Sequence, residues 1–185
     1  MLRGKTAVIT GASRGLGEAI AYKFASMGAD IAVIDIGNAA LAEGVADKCR
    51  TEYNVRAKSY MCDVSDFEAV KKTVSCIKED FSTVHILVNN AGITRDGLAA
   101  VMKEEDFDQV IAVNLKGAFN MLRHTAGLFI RNRGGCIINI ASVAGIMGNA
   151  GQCNYAASKA GIIGLTKTIA RAVSYTHLRA HETSQ

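Results

Sequence analysis

No run of apolar residues in this 185-residue chain reaches the ~18 positions that a membrane-spanning helix needs. The first residues, Met1-Leu2-Arg3-Gly4-Lys5, contain no apolar core and no cleavage site, so no signal peptide is expected and a soluble, cytoplasmic protein follows. No basic stripe with interleaved aromatics accompanies the net charge of +4, which excludes a nucleic-acid binder as the first reading. Cys49, Cys62, Cys76, Cys136 and Cys153 form no Cys-x-x-Cys pair and no zinc spacing. Their odd number points to reduced thiols, mostly small core residues. No internal repeat, low-complexity tract or interdomain linker breaks the chain. What remains, 49% hydrophobic and 21% charged, is an ordinary globular composition long enough for one domain with a sizeable core.

Strand-like apolar runs alternate with helical patterns. Thr6–Thr10, Ile31–Ile34, Val55–Met61, Val84–Val88 and Cys136–Ala141 read as five strands. Between them, Leu16, Ile20, Phe24 and Met27 recur at helical spacing, as do Leu41, Val45 and Cys49. Phe67, Val70, Val74, Ile77 and Phe81 make a clean stripe, preceded by a capping box at Ser65 and Glu68. Residues 104–131 carry one long helical pattern and residues 153–173 a last one. Regular alternation predicts an α/β, doubly wound parallel sheet of the Rossmann type, with helices on both faces. Strands that are apolar throughout fit a sheet covered on both sides.

Thr10-Gly11-Ala12-Ser13-Arg14-Gly15-Leu16-Gly17 lies between the first strand and the first helix. Glycines at 11, 15 and 17 allow a tight turn and close approach of backbone to a pyrophosphate, and the helix N-terminus offers free N–H groups to the anion. A dinucleotide, NAD(P)(H), is therefore expected here. Asp35, at the end of the second strand, suits the adenosine ribose hydroxyls and repels the extra phosphate of NADP. Arg14 points the other way, because a guanidinium pairs with a 2′-phosphate. The place of Asp35 favours NAD(H). Asp63, with Val64, ends the third strand and either bonds the adenine amino group or caps the next helix. Asn90, Ala91 and Gly92 end the fourth, where small residues let the chain pass close to a ribose.

Ser142 follows the fifth strand at the same edge of the sheet. Tyr155 and Lys159 then stand four apart on one helix face. An ammonium beside a phenol favours phenolate, which suits the pair to general acid–base work, with Ser142 holding a substrate oxygen. Asn114 sits in an otherwise apolar helix, where an unpartnered amide would be costly.

In order and spacing, the glycine-rich turn, Asn89-Asn90-Ala91-Gly92, Asn114, Ser142 and Tyr155-x-x-x-Lys159 resemble the short-chain dehydrogenase/reductase family over residues 4 to about 172. The resemblance implies that Tyr155 donates the proton to a carbonyl in reduction. It implies that Lys159 assists Tyr155 and binds the nicotinamide ribose, that Ser142 orients the substrate oxygen, and that Asn114 holds a relay water behind Lys159. Within the family, Gly92–Leu98 and Met147–Tyr155 are similar to the 3-oxoacyl-[acyl-carrier-protein] reductases of fatty acid biosynthesis. That subgroup usually takes NADPH, a pattern from which Asp35 departs. The resemblance also implies a homotetrameric full-length parent and an acidic carrier protein as partner, for which Arg131 and Arg133 are candidates. The alternatives are an NAD-dependent dehydrogenase for a sugar, steroid or hydroxy acid, and a nucleotide-binding fragment without catalysis.

The match is expected to stop near Ala172 or Val173, which bounds the Rossmann domain at 1–173. Residues 174–185 show little apolar content and no strand pattern. They read as an artefactual or disordered tail on a truncated chain that lacks the family's last two strands. The fifth strand would then be an exposed edge. His177 and His181 stand four apart, and no metal site is expected of them.

Overall fold

The computed structural model describes residues 1–172 and 178–183. Its strands are β1 (Thr6–Thr10), β2 (Asp30–Asp35), β3 (Ala57–Met61), β4 (Ile86–Asn89), β5 (Gly135–Ile140) and β6 (Leu178–Thr183). They form one parallel sheet in the order β3-β2-β1-β4-β5-β6. The order reverses between β1 and β4, and at such a switch point the crevice beyond the strands' carboxyl ends is open to a ligand.

The period of two along each strand divides the core. Val8, Ala32, Ile34, Leu87 and Ile137 face helices α3 (Phe67–Phe81) and α5 (Gly117–Arg131). Ala7, Ile9, Ile31, Val33 and Val88 face α1 (Gly15–Ser26) and α2 (Ala39–Tyr53). The doubly wound sheet expected from the alternation is the sheet observed. Helix α1 buries Gly17, Ala21 and Ala25, while Leu16 is 41% exposed. Small residues rather than the larger apolar stripe let this helix lie close on the sheet.

Three expectations are corrected. Leu178–Thr183 is a sixth strand, paired in parallel with β5 from Gly135↔Leu178 to Ile140↔Thr183, so the sheet has six strands and β5 is not its edge. The open N–H and C=O groups of β5 can pair with any extended backbone, and this chain has no proline to prevent it. The remaining residues of the expected tail, with His177 and the boundary at 173, lie outside the described residues. The capping box at Ser65 and Glu68 does not form. Asp66 caps α3 instead, accepting from the N–H groups of Glu68 and Ala69, and the Ser65 hydroxyl donates to Asp63. The single helix over 104–131 is three segments: α4 (Glu104–Val110), a π-helical turn (Ile111–Lys116) and α5. The expectation of cysteines mostly in the core holds for Cys49 and Cys62, whereas Cys76 and Cys153 are exposed. Burial pushes the Cys49 thiol up to about 11.

The short helix α6 (Ala144–Met147) and the long α7 (Cys153–Ala172) follow β5. Among the described residues no helix is long and apolar enough to cross a membrane, and no three metal-ligating side chains cluster.

Candidate active site

A cleft of about 370 Å³ opens at the carboxyl ends of β1, β2, β3 and β4. Gly11, Arg14, Asp35, Asp63, Val64, Asn90, Ala91 and Gly92 line it, as the motif spacing anticipates. Ile34, Ile36, Cys62, Ile93 and Val113 complete the wall and escape sequence reasoning, since an apolar residue at a strand end carries no signal of its own. Ser13, Gly15, Leu16 and Gly17 are not among the residues that line it. The backbone explains two of the glycines. Gly11 has φ +63°, and a methyl on it would come within 2.9 Å of Ala91 Cα. A methyl on Gly17 would overlap the Gly11 carbonyl and the Asn90 amide. Arg14 precedes α1 with no side-chain cap, which leaves the N–H groups of the first helical turn for an anion.

The cleft is stitched by side chains that the motif reading treats only in part. The Thr10 hydroxyl accepts from the N–H groups of Asn90 and Ala91, both at 3.0 Å. The Asn90 amide donates to the carbonyls of Thr10 and Gly11. Asn120, fully buried in α5, donates to the carbonyls of Val64 and Ser65, and Val64 packs where a Cβ on Gly117 would stand. Asp63 accepts from the N–H and the hydroxyl of Ser65, so it holds its own turn while lining the cleft and does not cap α3.

Asp35 is half-buried at the end of β2. It accepts from the N–H groups of Ser13 at 3.2 Å, Ile36 at 2.9 Å and Gly37 at 3.0 Å. Burial pushes its carboxyl up, but the Gly37 N–H, the Ser13 hydroxyl and N–H, and the Ile36 N–H together outweigh it and hold the group below the usual carboxylate range. The result is a fixed anion at the cleft mouth beside the exposed Arg14.

The second cluster lies beyond β5. Ser142 Oγ accepts from the Ala144 N–H at 3.2 Å and so starts α6. Tyr155 is half-buried in the first turn of α7, and Lys159 lies one turn on, its Nζ 5.6 Å from the Tyr155 ring centre. Lys159 Nζ donates to the Ile140 carbonyl at 2.6 Å. Burial pushes its ammonium down to about 8. Gly145 allows the close contact of α6 with α7, since a Cβ there would stand 2.7 Å from Ala160 N. Asn114, 2% exposed in the π-helical turn, accepts from Ile93 N–H and donates to the Ile93 carbonyl and to Ser158 Oγ. Its amide thus finds protein partners on both sides and ties the loop after β4 to α7. Arg131 and Arg133 stand at the amino end of β5, a strand length of about 20 Å from the Ser142 end, so the fold does not bring them to this cluster.

The family model for short chain dehydrogenases matches residues 5–183. The chain belongs to the short chain dehydrogenase family. Members of this family include the 3-oxoacyl-[acyl-carrier-protein] reductase FabG of Thermotoga maritima, 43% identical over 97% of this chain and 72% of the relative. The FabG of Staphylococcus aureus is 44% identical over 90% of this chain and 68% of its own length. Among solved structures, an NAD+-bound xylitol dehydrogenase superposes with a TM-score of 0.94 at 34% identity, over 99% of this chain and 71% of that one. As a short chain dehydrogenase the chain is an oxidoreductase of the CH–OH/C=O pair that works with a nicotinamide cofactor.

Proposed function

We propose that this short chain dehydrogenase reduces 3-oxoacyl thioesters on an acyl carrier protein to the 3-hydroxyacyl form, with Tyr155 as general acid. The observation that carries the substrate class is the rim beside Ser142. Val143, Ile146 and Met147 on one side and Leu98 and Val101 on the other are exposed large apolar side chains, Met147 at 81%. The two loops that bear them are joined by a bond from Gly97 N–H to the Gly151 carbonyl and by Gln152 with Asp96. Such a rim suits an acyl chain better than a polyol, whose hydroxyls need polar partners. The similarity to the FabG reductases supports the same reading.

Ser142 Oγ offers a hydrogen bond to the carbonyl oxygen that is to become the alcohol, and Tyr155 delivers the proton to that oxygen. Lys159, an ammonium below pH 8, places positive charge beside the phenol. Asn114 keeps the loop after β4 registered on α7, and its protein partners occupy its amide hydrogens. The glycine cradle, the uncapped N-terminus of α1 and the Asp35 anion fit a dinucleotide. Gly11, Gly17 and Arg14 would face its phosphates, Asp35 its adenosine ribose, Asp63 and Val64 its adenine, and Asn90 to Gly92 with Lys159 its nicotinamide ribose. When bound, the dinucleotide supplies the hydride. Asp35 favours NAD(H) over NADP(H), because a fixed carboxylate repels a 2′-phosphate. Any contact of the carrier protein with Arg131 and Arg133 lies at the far end of the sheet from this chain's own Tyr155.

Replacing Tyr155 by Phe tests the assignment. Turnover of an acetoacetyl thioester should fall by about 10²–10⁴-fold with NADH affinity unchanged. Turnover retained in Tyr155→Phe refutes the role of Tyr155, and turnover of polyols but not acyl thioesters by the parent refutes the substrate class.

A further inference from the structure

We infer that Asn154, the residue immediately before Tyr155, is a positioning residue that holds the catalytic phenol in register with the loop leaving the cofactor cleft. The inference rests on the reading of Tyr155 as the proton donor.

Asn154 is 0% exposed at the start of α7, in a segment where the flanking residue Cys153 is exposed and Tyr155 is half-buried. A primary amide buried this deeply must have its donors and its acceptor satisfied. Its Nδ2 donates to the Arg95 carbonyl at 2.9 Å and to the Asp106 carbonyl at 3.2 Å. Its Oδ1 accepts from the N–H of Tyr155 itself at 2.7 Å. One side chain therefore joins the loop after β4, helix α4 and the backbone of the catalytic tyrosine.

A second tie lies one turn on. Ser158 Oγ donates to the Tyr155 carbonyl at 2.7 Å and accepts from the Asn114 amide, whose other bonds hold Ile93. The Tyr155 N–H is thus held by a side chain that reaches Arg95, and its carbonyl by one that is tied through Asn114 to Ile93. Lys159, fixed separately on the Ile140 carbonyl, does not depend on Asn154. Loosening Asn154 should therefore move Tyr155 relative to both Lys159 and the cleft while the cleft itself stays intact. Displacements of about 1 Å in a reacting group cost on the order of 10²-fold in rate.

The decisive variant is Asn154→Asp, which keeps size and the acceptor for Tyr155 N–H but removes both donors. Asn154→Ser supplies one hydroxyl donor and serves as the partial rescue. The expected result in Asn154→Asp is a drop in kcat of about tenfold or more, with the dinucleotide KM within about twofold of the parent. The acid–base limb of the kcat profile should move by about half a pH unit, with part of kcat returning in Asn154→Ser. A uniform loss of active protein would lower kcat at every pH without moving that limb. Parental kcat in Asn154→Asp, or a loss of kcat matched by an equal loss of NADH affinity, overturns the inference. Should the parent not turn over acyl thioesters, the functional reading fails and the inference is decided by amide hydrogen exchange. Faster exchange over residues 93–98 and 154–158 in Asn154→Asp then upholds it, and unchanged exchange overturns it.

Discussion

Lys159 carries a measurable conflict between stability and chemistry. Its ammonium is almost wholly buried and is pushed down from the ordinary 10.5 to about 8. The folded state therefore binds fewer protons than the unfolded chain between pH 8 and 10.5. The cost of burying the charge is fully present below pH 8, and stability rises with pH through that window. At about 1.36 kcal/mol per pKa unit, the linkage between pH 7 and pH 10 is on the order of a few kcal/mol. The bond from Nζ to the Ile140 carbonyl favours the ammonium and makes this figure an upper value. Lys159→Met removes the titration while keeping most of the volume. Denaturant unfolding of both proteins at pH 7 and pH 10 gives four stabilities. The parent should gain on the variant by up to a few kcal/mol as pH rises, with all other titrations cancelling in the difference. Parallel pH curves, within about 0.5 kcal/mol, would refute a depressed Lys159. The same loss of charge should make turnover fall as pH rises through 8.

Gly17→Ala should lower NADH affinity by at least about tenfold, because the methyl overlaps the Gly11 carbonyl and the Asn90 amide; fluorescence titration of NADH reads it. Asp35→Ala should raise NADP(H) affinity by about tenfold while weakening NAD(H), and an unchanged preference between the two would remove Asp35 from the ribose site. His85 accepts the Thr6 N–H on Nδ1 at 3.0 Å and so must be neutral, while burial and then Lys5 hold its pKa below 6.5. The folded state therefore resists protonation, and stability should fall as pH drops below 6.5. In His85→Asn, which can still accept that N–H, the acid loss should shrink, as thermal melts at pH 5 and 7 would show.

Much of the sheet is legible because fully covered parallel strands, such as Ala7–Ile9 and Ile31–Ile34, are apolar on both faces and contrast with the helices between them. The cleft is legible where a residue's backbone freedom is its function, as at Gly11 and Gly17. The stitching is not. Thr10, Asn120 and Asn154 act on backbone carbonyls and amides distant in sequence, and nothing near them signals the partner. Asn114 stands out as a lone amide among apolar residues, but nothing near it in sequence signals Ile93 and Ser158 as the partners of its side chain. The sixth strand escapes because pairing along β5 is a backbone matter and asks little of side-chain pattern. The π-helical turn escapes because a helical stripe over 104–131 shows that a helix is present and not how each turn is wound.

That turn separates two rotational phases of one continuous rod. An i→i+5 turn contains one residue more than the α-helix needs, and each α-helical residue turns the wheel by about 100°. The segment before the turn thus meets α7, while the segment after it aims Asn120 and Gly117 at Val64 in the cleft wall. Removing any one residue within Ile111–Lys116 would let the rod wind as a plain α-helix and would misdirect either Asn114 or Asn120. Length in this stretch is therefore a stricter constraint than identity: point changes on its exposed side are tolerable, whereas a one-codon deletion uncouples the two halves of the site.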